Sequence, residues 1–369
     1  MIPFGRHYRE QCGKKINIDI NYSDPSMIKT HDTISSSGEF ELIRRLESII
    51  STSISPEDLV VGLGDDTAVI RQAGTNQGLL ITCDIQIEGE HFRLEKLTPY
   101  QTGRRAAAVN LSDIAAMGGK PTFALLSLGL DAEMPLQDFD HLVKGIHDQF
   151  SQFDTVIIGG NMSKHRSLLI DITLMGTADL NKLLLRKTAQ PGDRLYVSGT
   201  PGASAAGRIM MQNQKYIDKR WKPLVQKHIQ PLPRLKLARH LAAENLASAA
   251  IDISDGLVAD LYHICEQSNV GARIDQSRLP AFECSREFES LFGQNALETV
   301  LYGGEDYELL FTVPSELPDQ NLGDVARLTQ TPIHEIGSIT KTPQIMLYSP
   351  EKGNQILTNK GWDHFARRS

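Results

Sequence analysis

Five short acidic clusters interrupt an otherwise ordinary α/β chain: Gly64-Asp65-Asp66, Thr82-Cys83-Asp84, Leu111-Ser112-Asp113, Asp252-Ile253-Ser254-Asp255-Gly256 and Gly303-Gly304-Glu305-Asp306-Tyr307-Glu308. Several stand where an apolar, strand-like run gives way to glycine or a small polar residue. Carboxylates spread over the chain in this way suit a site that gathers hard cations. Such cations are what a protein needs to handle polyphosphate without a lysine-bearing loop. That loop is absent, because no G-x-x-x-x-G-K-S/T run occurs. No G-x-G-x-x-G follows a strand, and neither G-x-S-x-G nor H-E-x-x-H is present.

Each cluster also has a plainer reading. In Asp252-x-Ser254-Asp255-Gly256, Ser254 or Asp255 could simply cap a helix while Gly256 eases the turn, which explains one acidic residue better than two. Gly64-Asp65-Asp66 reads equally as a tight turn, and Asp84 as a strand end. Asp113 lies within a helical pattern beside apolar neighbours, where a carboxylate costs stability unless paired or metal-bound. The run Glu305 to Glu308 reads as either a site or a solvated strand entrance. Gly159-Gly160-Asn161 fits a phosphate-approach loop or a plain turn. His91 fits an anion contact or a structural histidine, and Arg186 a phosphate clamp or a surface charge. Trp362 and Phe365 could stack on a flat ligand or pack the tail.

The elements that must position these residues follow from periodicity. Ser36-x-x-Glu39 is a capping-box pattern that opens a helix with Phe40, Ile43, Leu46, Ile49 and Ile50 on one side. Residues 60–63 and 79–83 predict strands, and 100–117 a helix stopped by Gly118-Gly119. A strand over 123–130, a helix over 136–150, a short strand over 155–158 running into the glycines, and a strand over 168–175 complete a first unit. Pro191-Gly192-Asp193 marks a break. A second α/β unit follows, with strands over 194–198, 249–253, 308–313 and 333–339 and helices over 235–244 and 257–267. The boundary falls near residue 180. Residues 1–35 read as a loosely ordered polar extension, 36–180 as one domain and 181–369 as another, in keeping with 369 residues being too many for one small core. The fold class is α/β (α+β).

A net charge of −7 argues against nucleic acid and anionic membranes as partners. It also repels an anionic substrate unless bound metal inverts the local sign. The four cysteines include no C-x-x-C pair, so neither a zinc site nor a disulfide framework is expected, and a reducing cytoplasm fits. There is no apolar run of about 18 residues and no apolar signal core.

Taken in order, Gly38-Glu39-Phe40, Gly64-Asp65-Asp66, Glu88-Gly89-Glu90-His91-Phe92, the stretch from Ala108 to Gly118, Pro191-Gly192-Asp193, Gly199-Thr200-Pro201-Gly202, Asp252 to Leu257, Gly303 to Leu309 and Gly361-Trp362-Asp363-His364-Phe365 resemble the thiamine-monophosphate kinase family. The resemblance runs from about residue 38 to the end, and the ordered set is far more specific than any one motif. It implies ATP-dependent conversion of thiamine monophosphate to thiamine diphosphate. It also implies a two-domain fold of the aminoimidazole ribonucleotide synthetase type, with mixed sheets and helices packed on them, and a homodimer built through the N-terminal domains. Magnesium ligands would fall on Asp66, Thr82, Cys83, Asp84, Asp113, Asn161, Asp252 and Asp255, with Asp66, Asp84, Asp113 and Asp252 central to catalysis. ATP contacts would fall on Gly160, Asn161, Arg186 and Ser254, and thiamine phosphate contacts on His91, Glu305 and Trp362.

Two departures stand out: the family's Gly-Gly-Asp is Gly159-Gly160-Asn161 here, and its Ser-Thr-Asp is Thr82-Cys83-Asp84. An amide oxygen can ligate magnesium but brings no negative charge. Two alternatives therefore stand beside the kinase: another ATP-dependent enzyme of this fold, or a binding protein whose catalysis is weakened at Asn161 and Cys83.

Overall fold

Side chains in the segment Leu169–Asp179 alternate between half-buried and buried without a break, the signature of a strand with one covered face. This segment forms the middle of a six-stranded sheet in the computed structural model, which describes residue 34 and residues 39–50, 56–213 and 219–360. The chain divides into two units, Met1–Ile49 with His364–Ser369, and Ile50–Asp363. Helix α1 (Glu39–Ile50) lies in the first except for its last residue; everything below describes the second.

The first sheet contains β1 (Leu59–Val61), β2 (Ala68–Arg71), β3 (Gln77–Ile87), β4 (Lys120–Leu130), β5 (Val156–Lys164) and β6 (Leu169–Asp179), in the order β1-β2-β3-β6-β4-β5. Its pairings are antiparallel except β4 with β5. That parallel pair requires a crossover, and helix α3 (Leu136–Ser151) supplies it. Helix α2 (Pro99–Ala116) opens with a full capping box between Thr98 and Gln101 and a proline in its first turn. It is buried on nearly all sides because it packs against the sheet, α3 and the second half of the chain. Leu111, Ile114, Leu142, Ile146, Phe150, Ile170, Ile172 and Leu174 form the core between them.

The second sheet contains β7 (Arg194–Ser198), β8 (Ala249–Asp252), β9 (Gly271–Asp275), β10 (Leu309–Val313), β11 (Ile333–Thr340), β12 (Ile345–Ser349) and β13 (Gly353–Ile356), in the order β13-β12-β9-β11-β7-β10-β8. Only β12 with β9 is parallel. Helices α4 (Ala203–Gln212), α5 (Lys222–Ile229), α6 (Leu235–Ala243), α7 (Leu257–Ser268), α8 (Ser285–Phe292), α9 (Ala296–Tyr302) and α10 (Asp319–Thr329) accompany it. Edge strand β8 lies against α2, and this contact brings the two halves of the site together. No described helix is long and apolar enough to cross a membrane.

Several expectations need correction. The strand expected over 155–158 does not stop at the glycines: β5 runs through Gly159-Gly160-Asn161 to Lys164. Gly160 has φ of 152°, and a Cβ there would lie 1.8 Å from the Leu126 carbonyl oxygen, so Gly160 serves close strand pairing and not a turn. Strands β3 and β6 are longer than expected, and the short strand β2 was not anticipated. The capping Ser36 and residues 1–33 lie outside the described residues.

Candidate functional site

Asp113 sits near the end of α2, Asp252 at the end of β8, and Asp66 in the turn after β1. One carboxylate oxygen from each lies within 4.8 Å of the others. Asp84 joins them from β3. Its charge acts on Asp113, while its buried Oδ2 has no hydrogen-bond partner among the described groups. Strand alternation explains the Thr82–Asp84 pair: both point to the covered face, and Thr82 Oγ1 donates to Asp113 Oδ2. Ser112 Oγ donates to Asp252 Oδ2 at 2.6 Å.

These carboxylates do not ionise easily together. Burial, then the charges of Asp84, Asp252 and Asp66, push Asp113 well above the usual carboxylate range. Burial and then Asp66 push Asp252 up to about 8, and burial raises Asp84. Asp65 is pushed up to about 6 by burial and by Asp66. Arg186 pairs with Asp66 and, more loosely, with Asp65 at 3.8 Å. Convergent oxygens, one of them buried and unpartnered, in mutual repulsion make a donor set that fits a hard divalent cation.

The loop after Asp252 is held by a residue the sequence reading missed. Asp260, buried in the first turn of α7, accepts through Oδ2 from the backbone N–H groups of Ser254 (3.1 Å), Asp255 (3.3 Å) and Gly256 (3.1 Å). Neither Ser254 nor Asp255 caps the helix; Gly256 is its N-cap, with no side-chain cap bond. An acidic residue four positions beyond Gly256 was the available signal.

The densest acidic run is not a solvated entrance. Asp306 is buried and accepts from the N–H groups of Gly202 (2.6 Å) and Ser204 (2.9 Å) at the start of α4. Glu308 is buried and paired with Arg234 and Lys227, and it accepts from Ser198 Oγ at 2.6 Å. These two are structural. Glu305 remains 28% exposed and pairs with Arg105, with Arg208 and His228 each 3.7 Å away. Its N–H donates to the Ser254 carbonyl at 2.7 Å, so the run is stitched to the Asp252 loop. Gly304 permits that contact, since a Cβ there would lie 2.4 Å from the same carbonyl oxygen. His91 lies near enough to help lower Glu305, and its Nδ1 accepts from the Ile87 N–H at 3.0 Å.

Other expected residues fall elsewhere. Cys83 points to the opposite, open face of the sheet, where its thiol donates to Asp171 at 3.1 Å; only its backbone could face the Asp113 side. Gly160 shares a lateral row with Leu126, Ile172 and Asp84, three strand spacings or about 14 Å along the sheet from Asp84. Asn161, exposed on edge strand β5, is in the next row, with Ser127, Asp171 and Ile85. Trp362 lies outside the described residues.

Residues 64–178 match the family model for the AIR synthase related protein N-terminal domain, and 190–348 that for its C-terminal domain. The chain is 37% identical to the thiamine-monophosphate kinase of Escherichia coli K12 over 334 residues, covering 89% of this chain and 98% of that one. It is 32% identical to that of Aquifex aeolicus over 330 residues, with the same coverage. A solved structure described as AaThiL complexed with AMPPCP and TMP superposes with a TM-score of 0.78 at 30% identity, covering 91% of this chain and 99% of the other. The HypE–HypF complex contains a chain of the same fold at 17% identity, with a TM-score of 0.66.

Proposed function

This chain belongs to the thiamine-monophosphate kinase family, and we propose that it works by direct in-line transfer assisted by magnesium. It is an ATP-dependent kinase that converts thiamine monophosphate to thiamine diphosphate. A phosphate oxygen of thiamine monophosphate forms a bond to the γ-phosphorus of ATP as the bond to the bridging β–γ oxygen breaks and ADP leaves. The monoester is already largely ionised near neutral pH, so no side-chain base is required. The barrier is the in-line approach of two polyanions, and positioning and charge neutralisation dominate it.

The observation that carries this reading is the convergence of Asp66, Asp113 and Asp252 from three separate segments. With Asp84, they would hold magnesium, which when bound supplies the positive charge that the phosphates require. Thr82, Cys83, Asp255 and Asn161 belong to this set by family resemblance, Cys83 through its backbone. Arg186 would exchange part of its pairing with Asp66 for ATP phosphate oxygens, and the Ser254 loop and Gly160 would line the nucleotide. His91, Glu305 and Trp362 would contact thiamine monophosphate. The domain boundary near residue 180 falls between the two sheets on this reading. Acid-quenched turnover with γ-labelled ATP tests the direct route: label should pass to thiamine diphosphate with none on protein, and a labelled phosphoenzyme that forms and decays at the turnover rate would refute it.

We further propose a homodimer. The open face of the first sheet exposes Ile70, Ile85, Phe123, Leu125, Val156 and Ile158, an apolar patch that water covers poorly. Asn161 and Cys83 share this face, so a second copy seated on it would bring its own β5 near the first copy's β3.

A further inference from the structure

Arg105 is a buried guanidinium in α2, 1% exposed, in a helix whose other buried residues are all uncharged. A charge there is costly unless its partners justify it. Its Nη1 donates to the His228 carbonyl at 2.6 Å, its Nη2 donates to Glu305 Oε1, and its guanidinium lies 5.9 Å from the Tyr307 ring centre. Glu305 and Tyr307 both have left-handed backbone, with φ of 67° and 52°, a conformation that side-chain-bearing residues keep only when their surroundings enforce it. Arg105 touches both.

The two oxygens of Glu305 differ. Oε1 is taken by Arg105, whereas Oε2 lies 3.7 Å from Arg208 and 3.7 Å from His228. His228 is not a cation at neutral pH: burial and the Arg105 charge push it down to about 3. Arg208 is 39% exposed and screened by solvent. Arg208 also lines, with Gly303 and Tyr302, an open cleft of about 310 Å³. Burial alone would raise Glu305, and Arg105 is the largest influence that holds it below the usual range. Along α2, Arg105 precedes Asp113 by about 12 Å, so one rigid helix carries both a carboxylate of the metal cluster and the anchor of Glu305.

We propose that Arg105 is the positioning residue of the thiamine subsite: it fixes one oxygen of Glu305 so that the other is presented, as a carboxylate, to the cationic thiamine moiety. This rests on the reading of Glu305 as a substrate contact. The test is steady-state kinetics of Arg105→Met, Arg105→Lys, Glu305→Gln and the double variant Arg105→Met/Glu305→Gln. Arg105→Met should raise KM for thiamine monophosphate about tenfold or more while KM for ATP stays within about threefold. In the Glu305→Gln background the same change should add less than about twofold, because the two act as a unit. Arg105→Lys, which keeps the charge but not the two-pronged reach, should fall between. An unchanged KM for thiamine monophosphate in either Arg105 variant, or an equal rise in both Michaelis constants, overturns the proposal; if Arg105→Met does not fold, Arg105→Lys decides alone. If Glu305→Gln itself leaves that KM unchanged, the assignment of Glu305 has failed and the role of Arg105 falls with it. A rise for Glu305→Gln without one for Arg105→Met rejects only the positioning role.

Discussion

Asp113 is half-buried in a helix of largely apolar and small side chains, beside the charges of Asp84, Asp252 and Asp66, and its own charge opposes folding for as long as nothing positive answers it. Asp113→Asn should therefore stabilise the metal-free protein, raising its melting temperature by a few degrees, on the order of 1 kcal/mol. The same change should lower turnover by about a hundredfold or more and reduce the shift in melting temperature that magnesium produces with a nonhydrolysable ATP analogue. Scanning calorimetry with and without magnesium checks both. At this scale the sequence was informative where one residue contradicts its own neighbourhood: Asp113 betrays itself within a helical pattern. Arg105 in the same helix meets that criterion too. Asp306 and Glu308 were legible as dense charge but not as structure, because their partners, Gly202, Ser204 and Arg234, lie roughly 70 to 100 residues away.

Elements position these residues through backbone contacts that individual motifs do not reveal. Asp260 gathers three consecutive amides of the Asp252 loop. Asp260→Asn keeps an acceptor there and should leave the magnesium dependence within about threefold of the parent. Asp260→Ala strands the amides and should raise the magnesium concentration for half-maximal activity about tenfold, a contrast that magnesium titration of activity reads directly. Asp306 gives a second test. Burial pushes it up to about 8, so between its ordinary value near 4 and about 8 the folded protein holds a proton that the unfolded chain releases. Its contribution to stability is therefore fully present at low pH and is lost as pH rises through that window. Asp306→Asn should flatten the fall in stability between pH 5 and pH 8 by about 1–3 kcal/mol, as measured by urea unfolding at the two values. Most long elements were legible from period alone, α2 and α3 above all. Strand β5 was not, because Gly159-Gly160 carries the local signature of a turn, while its real cause, the Leu126 carbonyl, belongs to another strand.

For the whole molecule, sequence order says which segments exist but not which face of a sheet is left uncovered. The alternation in β3 and β6 puts Thr82 and Asp84 on the covered side and Cys83 on the open one, and no count of motifs separates them. If the open face is a self-association surface, Phe123→Glu should shift the sedimentation coefficient from dimer to monomer and lower activity with it, because β5 of the second copy is then lost from the site. The central claim is that carboxylates far apart in sequence hold divalent cations for transfer between two phosphorylated ligands. It is tested most directly by thiamine diphosphate formation from ATP and thiamine monophosphate across a magnesium titration, in the parent protein and in Asp113→Ala. We expect turnover that vanishes with chelator, returns with magnesium, and is abolished by Asp113→Ala at every concentration; turnover that survives chelation, or an Asp113→Ala protein as active as its parent, would contradict it.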